Sequence, residues 1–330
     1  MGKTLVIGNG FDIAQGYNTS YQDFVAYTKD VDNIDNPDIK HICNNNSFIK
    51  YFQKMDGLQN WIDIEKEIGV ICASFSKCLS LLEECSSITG NANRDNLTIR
   101  ERTVVDAFDK FFSGKKNLLA LNLRYYSVLQ RDKLIQDLRT EHSDVIKVLS
   151  YYLGCEMKRL KKKDINKPRY VLDNIYDYII NFNYTHTYRN YGINDEDVFF
   201  IHGNVDSPES MVFGMPEGVC DDIEFVYFQK YFQRIQKKSG VIDKSIMSDG
   251  SEQEEGSVAH IFGMSLGKND EDIIRIIFNS VNEVYIYCNG QNDYERKIVN
   301  LIDIYGRKEV EKNIYFNIWN FIDLIKETDC

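Results

Sequence analysis

The sequence predicts an α/β fold: a parallel sheet assembled from both ends of the chain, with a large helical insertion, residues 21–167, between its first and second strands. Three features predict it. A short aliphatic run, Lys3 to Ile7, stops at Gly8-Asn9-Gly10, as a buried strand does where it turns into a helix. Five further apolar runs follow Pro168, at residues 178–183, 198–201, 259–263, 284–288 and 314–318. Amphipathic segments separate the last three, Asp270 to Asn282 and Tyr294 to Tyr305, the latter stopped by Gly306. Short apolar strands alternating with helices form a parallel sheet covered on both faces. Residues 1–20 and 168–330 are therefore expected to make one α/β core.

The insertion is helical in period. Ile64, Ile68, Ile71, Cys72, Phe75, Leu79 and Leu82 step by threes and fours, as one buried stripe does. The same pattern returns from Val128 to Leu160 through Leu134, Leu138, Val145, Leu149 and Leu153. Ser86 to Asn96 is a polar loop between them, and Glu252 to Gly256 an acidic loop in the core. The chain has eight cysteines but no Cys-x-x-Cys pair; Cys72, Cys78 and Cys85 share the helical period, which fits core packing better than a zinc site.

Charge and hydropathy narrow the function. Lysine and arginine number 39 against 50 acids, a net charge of −11, which disfavours a nucleic-acid partner. The one basic run, Lys158 to Lys163, suits a solvated helix end. No apolar run approaches the ~18 residues of a membrane helix, and Leu5 to Gly8 is too short for a secretory leader. A cytosolic protein with no membrane partner is expected.

Several polar residues fall at predicted strand ends, where open parallel sheets bind ligands. Gly8-Asn9-Gly10-Phe11-Asp12 could bring backbone N–H groups to a phosphate, or could simply make a tight turn. Its spacing is not that of the dinucleotide fingerprint, and the Asp12 carboxylate would repel a diphosphate, leaving it to cap the helix or hold a ribose hydroxyl. Asn183 and Tyr184 follow the second strand, where a carboxamide can orient a sugar or a water. His202-Gly203 ends the third, and a histidine there can serve as general base or equally be a satisfied structural residue. Gly263 and Ser265 bend the chain after the fourth, and Asp270 then opens a helix, with capping as its expected role. His260 enters a strand and should be packed, and His186 should be a surface or capping residue. Asp63 and Glu65 stand near the start of the insertion; on a helix they diverge by about 200°.

With these residues the chain resembles the AbiH abortive-infection family of antiphage proteins. The likeness rests on Leu5-Val6-Ile7-Gly8-Asn9-Gly10-Phe11-Asp12, Gly16, Thr19 to Tyr21, Phe24, Trp61-x-Asp63-x-Glu65, Phe182 to Thr185, Ile201-His202-Gly203 and Gly263-x-Ser265-Leu266. Gln15 departs from it, because the family often has histidine before that glycine. A more distant resemblance is to the sirtuin-like NAD-binding fold. Its Gly-Ala-Gly turn, strand-end Asn, His-Gly base and Gly-Thr-Ser turn match Gly8 to Gly10, Asn183, His202-Gly203 and Gly263 to Ser265. The four-cysteine zinc ribbon of that fold's protein deacetylases is missing, and its defence proteins typically hydrolyse NAD. The resemblance thus implies an NAD hydrolase with Asn183 and His202 as catalytic residues. Gly8, Asn9, Gly10, Phe11, Asp12, Tyr184, Gly203, Gly263 and Ser265 would line the nucleotide, with Asp63 and Glu65 as additional site residues. NAD enters as substrate, with no permanently bound cofactor or metal; a phage-derived trigger and homo-oligomerisation stay open. The alternatives are a non-catalytic nucleotide sensor acting through a partner and, more weakly, a metal-dependent nuclease using Asp12, Asp63 and Glu65.

Overall fold

The computed structural model describes residues 2–55, 61–86, 128–160, 175–240 and 256–324, with the single positions 99, 102 and 165. The expected loop at residues 87–96, the acidic residues 252–255, Lys161 to Lys163, Cys330 and the side chains of Cys78, Leu82 and Cys85 lie outside that description. The chain divides into two compact units. One holds Met1–Ser20, Tyr152–Val212 and Arg234–Cys330; the other holds Tyr21–Tyr151 and Phe213–Gln233.

The first unit is built on six parallel strands, β1 (Lys3–Ile7), β2 (Tyr178–Asn181), β3 (Val198–Phe200), β4 (Val258–Phe262), β5 (Glu283–Cys288) and β6 (Trp319–Asp323). Their order is β3-β2-β1-β4-β5-β6, so β1 is central, with Val6 opposite both Ile180 and Ile261. This is the doubly wound order, which reverses between β1 and β4. Alternation splits the strand residues between two cores. Val6, Ile180, Ile261 and Ile286 pack with Ile273, Ile274 and Ile277 of one helix and Leu301 and Ile304 of another. Leu5, Ile7, Ile179, Phe262 and Tyr287 pack with Phe11 and Tyr188 on the other face. Each such side chain contributes roughly 1.5–3 kcal/mol on burial.

Helix α1 (Asn9–Ala14) follows β1 directly. The last predicted strand is corrected. Gly306, at φ +80, ends one helix (Gln291–Tyr305) and begins the next (Arg307–Tyr315), so residues 314 and 315 are helical and β6 starts at Trp319. Val310 and Asn313 are buried at helical spacing, whereas Tyr315 and Phe316 are exposed and Asn317 (φ +55) turns the chain into the strand. His260 is packed as expected, stacked on Tyr285 with Nδ1 2.9 Å from the Tyr287 hydroxyl.

In the second unit α2 (Tyr21–Lys29), α3 (Pro37–Asn45), α4 (Ser47–Lys54), α5 (Trp61–Ser86) and most of α6 (Val128–Arg159) are the main helices. Asn36 and Asn46 cap α3 and α4 by accepting backbone N–H groups with their side chains. The α5 stripe is buried from Ile64 to Leu79, and the α6 stripe from Leu134 to Leu153. Residues 213–233 lie against α5 closely enough that a Cβ on Gly69 would meet Val219 Cγ1 at 2.4 Å. The last turns of α6 belong to the sheet unit and hold the loop after α1: Arg159 donates to the Gly16 carbonyl, and Glu156 accepts from Asn18 N.

Candidate functional site

The site is built at the carboxyl edge of the sheet, where β1, β2, β3 and β4 end in polar or small residues. The turns after β1 and β4 are in direct backbone contact. Gly8 N donates to Phe262 O (3.0 Å), and Gly10 N to Gly263 O (2.8 Å). Gly263 has φ +68, and a Cβ there would lie 2.2 Å from Phe11 N; one on Gly10 would lie 2.7 Å from Gly263 Cα. These glycines are therefore required by two turns seated on each other. The seating uses the amides of Gly8 and Gly10, while Phe11 N donates to Gly8 O. Of the two readings of this stretch, phosphate cradle or tight turn, the geometry favours the turn, since these N–H groups are largely engaged inside the protein. Asn9 accepts from the Thr19 hydroxyl at 2.7 Å.

Asp12 organises the loop after β2. Its carboxylate, 1% exposed, accepts from the hydroxyls of Thr185 and Thr187 at 2.6 Å each and from Asn183 Nδ2 at 3.0 Å. Burial pushes this carboxyl up to about 6, and the three donors pull against that shift. Both Asp12 oxygens are thus occupied by protein donors, where a helix cap or ribose contact was expected. Asn183 also donates to Gly8 O at 3.0 Å, so both its amide protons point inward. Its carbonyl oxygen accepts nothing among the described residues. Gln15, where the family often has histidine, is fully buried and ties Phe11 O to Asn190.

His202 lies just beyond β3, 4% exposed, with its ring edge-on to Phe182 (5.6 Å) and tilted to Tyr184 (6.5 Å). Its Nε2 is 3.1 Å from Oδ1 of Asp270, the residue preceding α8 (Glu271–Asn279). Asp270 makes no side-chain cap to that helix; its carboxylate faces the imidazole instead, with Arg234 Nη1 3.9 Å from the same oxygen. Tyr184 donates to the Val212 carbonyl, and Val212 N to the His202 carbonyl. Gly203 (φ +73) has no room for a Cβ, which would fall 2.2 Å from Ser210 O. Leu266, in the turn carrying Ser265, is buried at φ +57, a conformation side chains rarely adopt. Asn183 and His202 thus end neighbouring strands but address different helices: Asn183 bonds to Asp12 on α1, and His202 pairs with the residue that opens α8.

His186, expected as a surface or capping residue, occupies the cap position before the turn Thr187–Tyr191 without a side-chain cap bond, and it is buried, bonded through Nδ1 to the Tyr188 hydroxyl and facing Asp206 through Nε2 at 2.9 Å. Burial lowers its pKa. Asp63 and Glu65 lie in the helical unit. Glu65 is buried and paired with the buried Lys230 at 2.7 Å, while Asp63 is half-buried. Among the described residues, no three of His, Cys, Asp and Glu are grouped to hold a metal ion, and no helix is long and apolar enough to cross a membrane. The partners of His202, Asp12 and Glu65 carry no sequence signal, because each comes from a distant segment.

Sheet order and strand-end residues define the class: a doubly wound α/β protein with a polar site at its carboxyl edge and a helical insertion after its first strand. Residues 4–288 match the family described as bacteriophage abortive infection AbiH, and the chain belongs to that family. No curated protein and no solved structure matches the chain. Its role is thus abortive-infection defence against bacteriophage.

Proposed function

We propose that the chain defends by hydrolysing NAD, or a related nucleotide, at the ribosyl–nicotinamide bond. The observation that supports this best is the His202 imidazole set against the Asp270 carboxylate at 3.1 Å on a ligand-binding sheet edge. In the reaction the bond from ribose C1′ to the pyridinium nitrogen breaks, and its electron pair leaves with neutral nicotinamide. Water adds to the oxocarbenium-like C1′ and gives its proton to His202, giving ADP-ribose. Asp270 stabilises the resulting imidazolium, as a carboxylate behind a histidine base does. The Asn183 carbonyl accepts from the water or a ribose hydroxyl, and Asp12 fixes that carboxamide by accepting a hydrogen bond from its Nδ2. Tyr184 and Gly203 shape the histidine side of the site, with Gly8 to Phe11, Gly263 and Ser265 on the other. Asp63 and Glu65 have no step in this scheme.

Incubating the purified protein with NAD and following nicotinamide and ADP-ribose by chromatography tests the proposal. His202→Ala should abolish product, with some loss of melting temperature because a buried ring facing Asp270 is removed; release at the parent rate by that variant would overturn it. The burial of His202 favours a second reading, in which the nucleotide is bound and sensed without turnover. Tight NAD binding in calorimetry with no product over hours would select it.

A further inference from the structure

We propose that the turn closing α7 (Lys230–Lys237), with Arg234, Lys237 and Ser239, is an oxyanion subsite that takes the phosphate of the nucleotide acted on at His202. The assignment of the ligand rests on the nucleotide reading above; the subsite itself rests on the following geometry. The turn sits against the end of β3. Gly240 N donates to Phe200 O at 3.1 Å, and a Cβ on Gly240 would lie 3.0 Å from Ile201 O, one residue before His202. Lys237 Nζ donates to the Met211 carbonyl, next to Val212, which bonds both His202 and Tyr184.

Among the described residues, two buried polar atoms at this helix end have no hydrogen-bond partner. Arg234 is 7% exposed; its Nη2 pairs with Asp272, but its Nη1 makes no hydrogen bond. The Ser239 hydroxyl is likewise buried and unpartnered, while Ser239 N donates to Arg234 O. Buried groups left so are costly and rare, and an acceptor such as a phosphate oxygen is what each of them calls for. Asp270 and Asp272, two carboxylates on one guanidinium, more than offset the charge of Arg234, so Lys237 is the cation that brings the group back to neutrality. Burial alone pushes that amine down to about 8, with no carboxylate acting to restore it. Cations often end helices because they favour the dipole there, yet Lys237 bonds Met211 and not a carbonyl of its own helix. Lys238 holds φ +54 in the same turn. The turn after β1, by contrast, has already spent the amides of Gly8, Gly10 and Phe11.

Calorimetry on the full chain with inorganic diphosphate, ADP-ribose and adenosine tests this. Lys237→Gln and Ser239→Ala leave the ion pairs of Arg234 in place. Lys237→Gln should weaken diphosphate and ADP-ribose binding about tenfold or more, Ser239→Ala less so, and adenosine should not distinguish the variants from the parent. Parent-like binding of diphosphate and ADP-ribose by both variants, or no diphosphate binding by the parent, overturns the subsite. If NAD is cleaved and its KM is unchanged in Lys237→Gln, the subsite falls and the hydrolase stands. If diphosphate binds in a Lys237-dependent way while NAD stays intact, the hydrolase falls and the subsite stands.

Discussion

Replacing Asp12 by asparagine should change how stability depends on pH. In the folded chain this carboxyl has a pKa of about 6, against an ordinary value of 3.8, because burial outweighs the donors Thr185, Thr187 and Asn183. The folded state thus binds the proton more tightly than the unfolded state. The stability this supplies is complete below about pH 4 and is lost as pH rises through about 6. The gap is worth about 3 kcal/mol over the whole window, of which about 2 kcal/mol falls between pH 4.5 and 7. Asp12→Asn keeps the shape and cannot titrate; it retains one acceptor oxygen, and a threonine hydroxyl must turn to accept from the new NH2, a cost that does not vary with pH. Urea unfolding of parent and variant, read on the same transition, should show the parent losing about 2 kcal/mol relative to Asp12→Asn between those two pH values. A constant difference across the window would mean that the carboxyl is not held in the desolvated setting described.

Asp270→Asn should cut nicotinamide release about 100-fold at neutral pH and move the acidic limb of the pH–rate profile down, since the imidazole loses its stabilising carboxylate; an unchanged profile would reduce Asp270 to a helix-start residue. Gly263→Ala places a Cβ 2.2 Å from Phe11 N at φ +68 and should cost at least about 3 kcal/mol in denaturant unfolding. Gly218→Ala, also at positive φ but in open space, should cost about 1 kcal/mol. Lys230→Met removes the cation from the buried Glu65 and should destabilise by about 3–5 kcal/mol, with most of that recovered when Glu65→Leu is added; calorimetric melting of the three variants measures the recovery.

How much of this the sequence could show depended on whether the cause was local. Leu5-Val6-Ile7 and the glycines after it foretold the central strand, since a buried parallel strand is apolar on both faces. The stripe from Ile64 to Leu79 foretold a helix, since one face must be covered. Ile314 to Ile318 misled, because a short apolar run has no period long enough to separate a helix end from a strand. The strand-end placement of Asn183 and His202 was legible. Their partners were not, because Asp12 and Asp270 reach them only once the sheet has formed. A glycine that admits a phosphate and one that admits another turn look the same in sequence, and Gly8 to Gly10 admit the turn at Gly263.

The central position of β1 governs the timing of assembly on the ribosome. Lys3 takes its place beside Val258, and Thr4 beside Tyr178, so β1 waits until about 250 further residues have been made before both its flanks are sheltered. At roughly 5–20 residues per second, synthesis from β1 to β4 takes on the order of 10–50 seconds. Nascent chains halted before β4 must therefore keep one edge of Leu5, Val6 and Ile7 without its neighbour, and such fragments will be prone to clump.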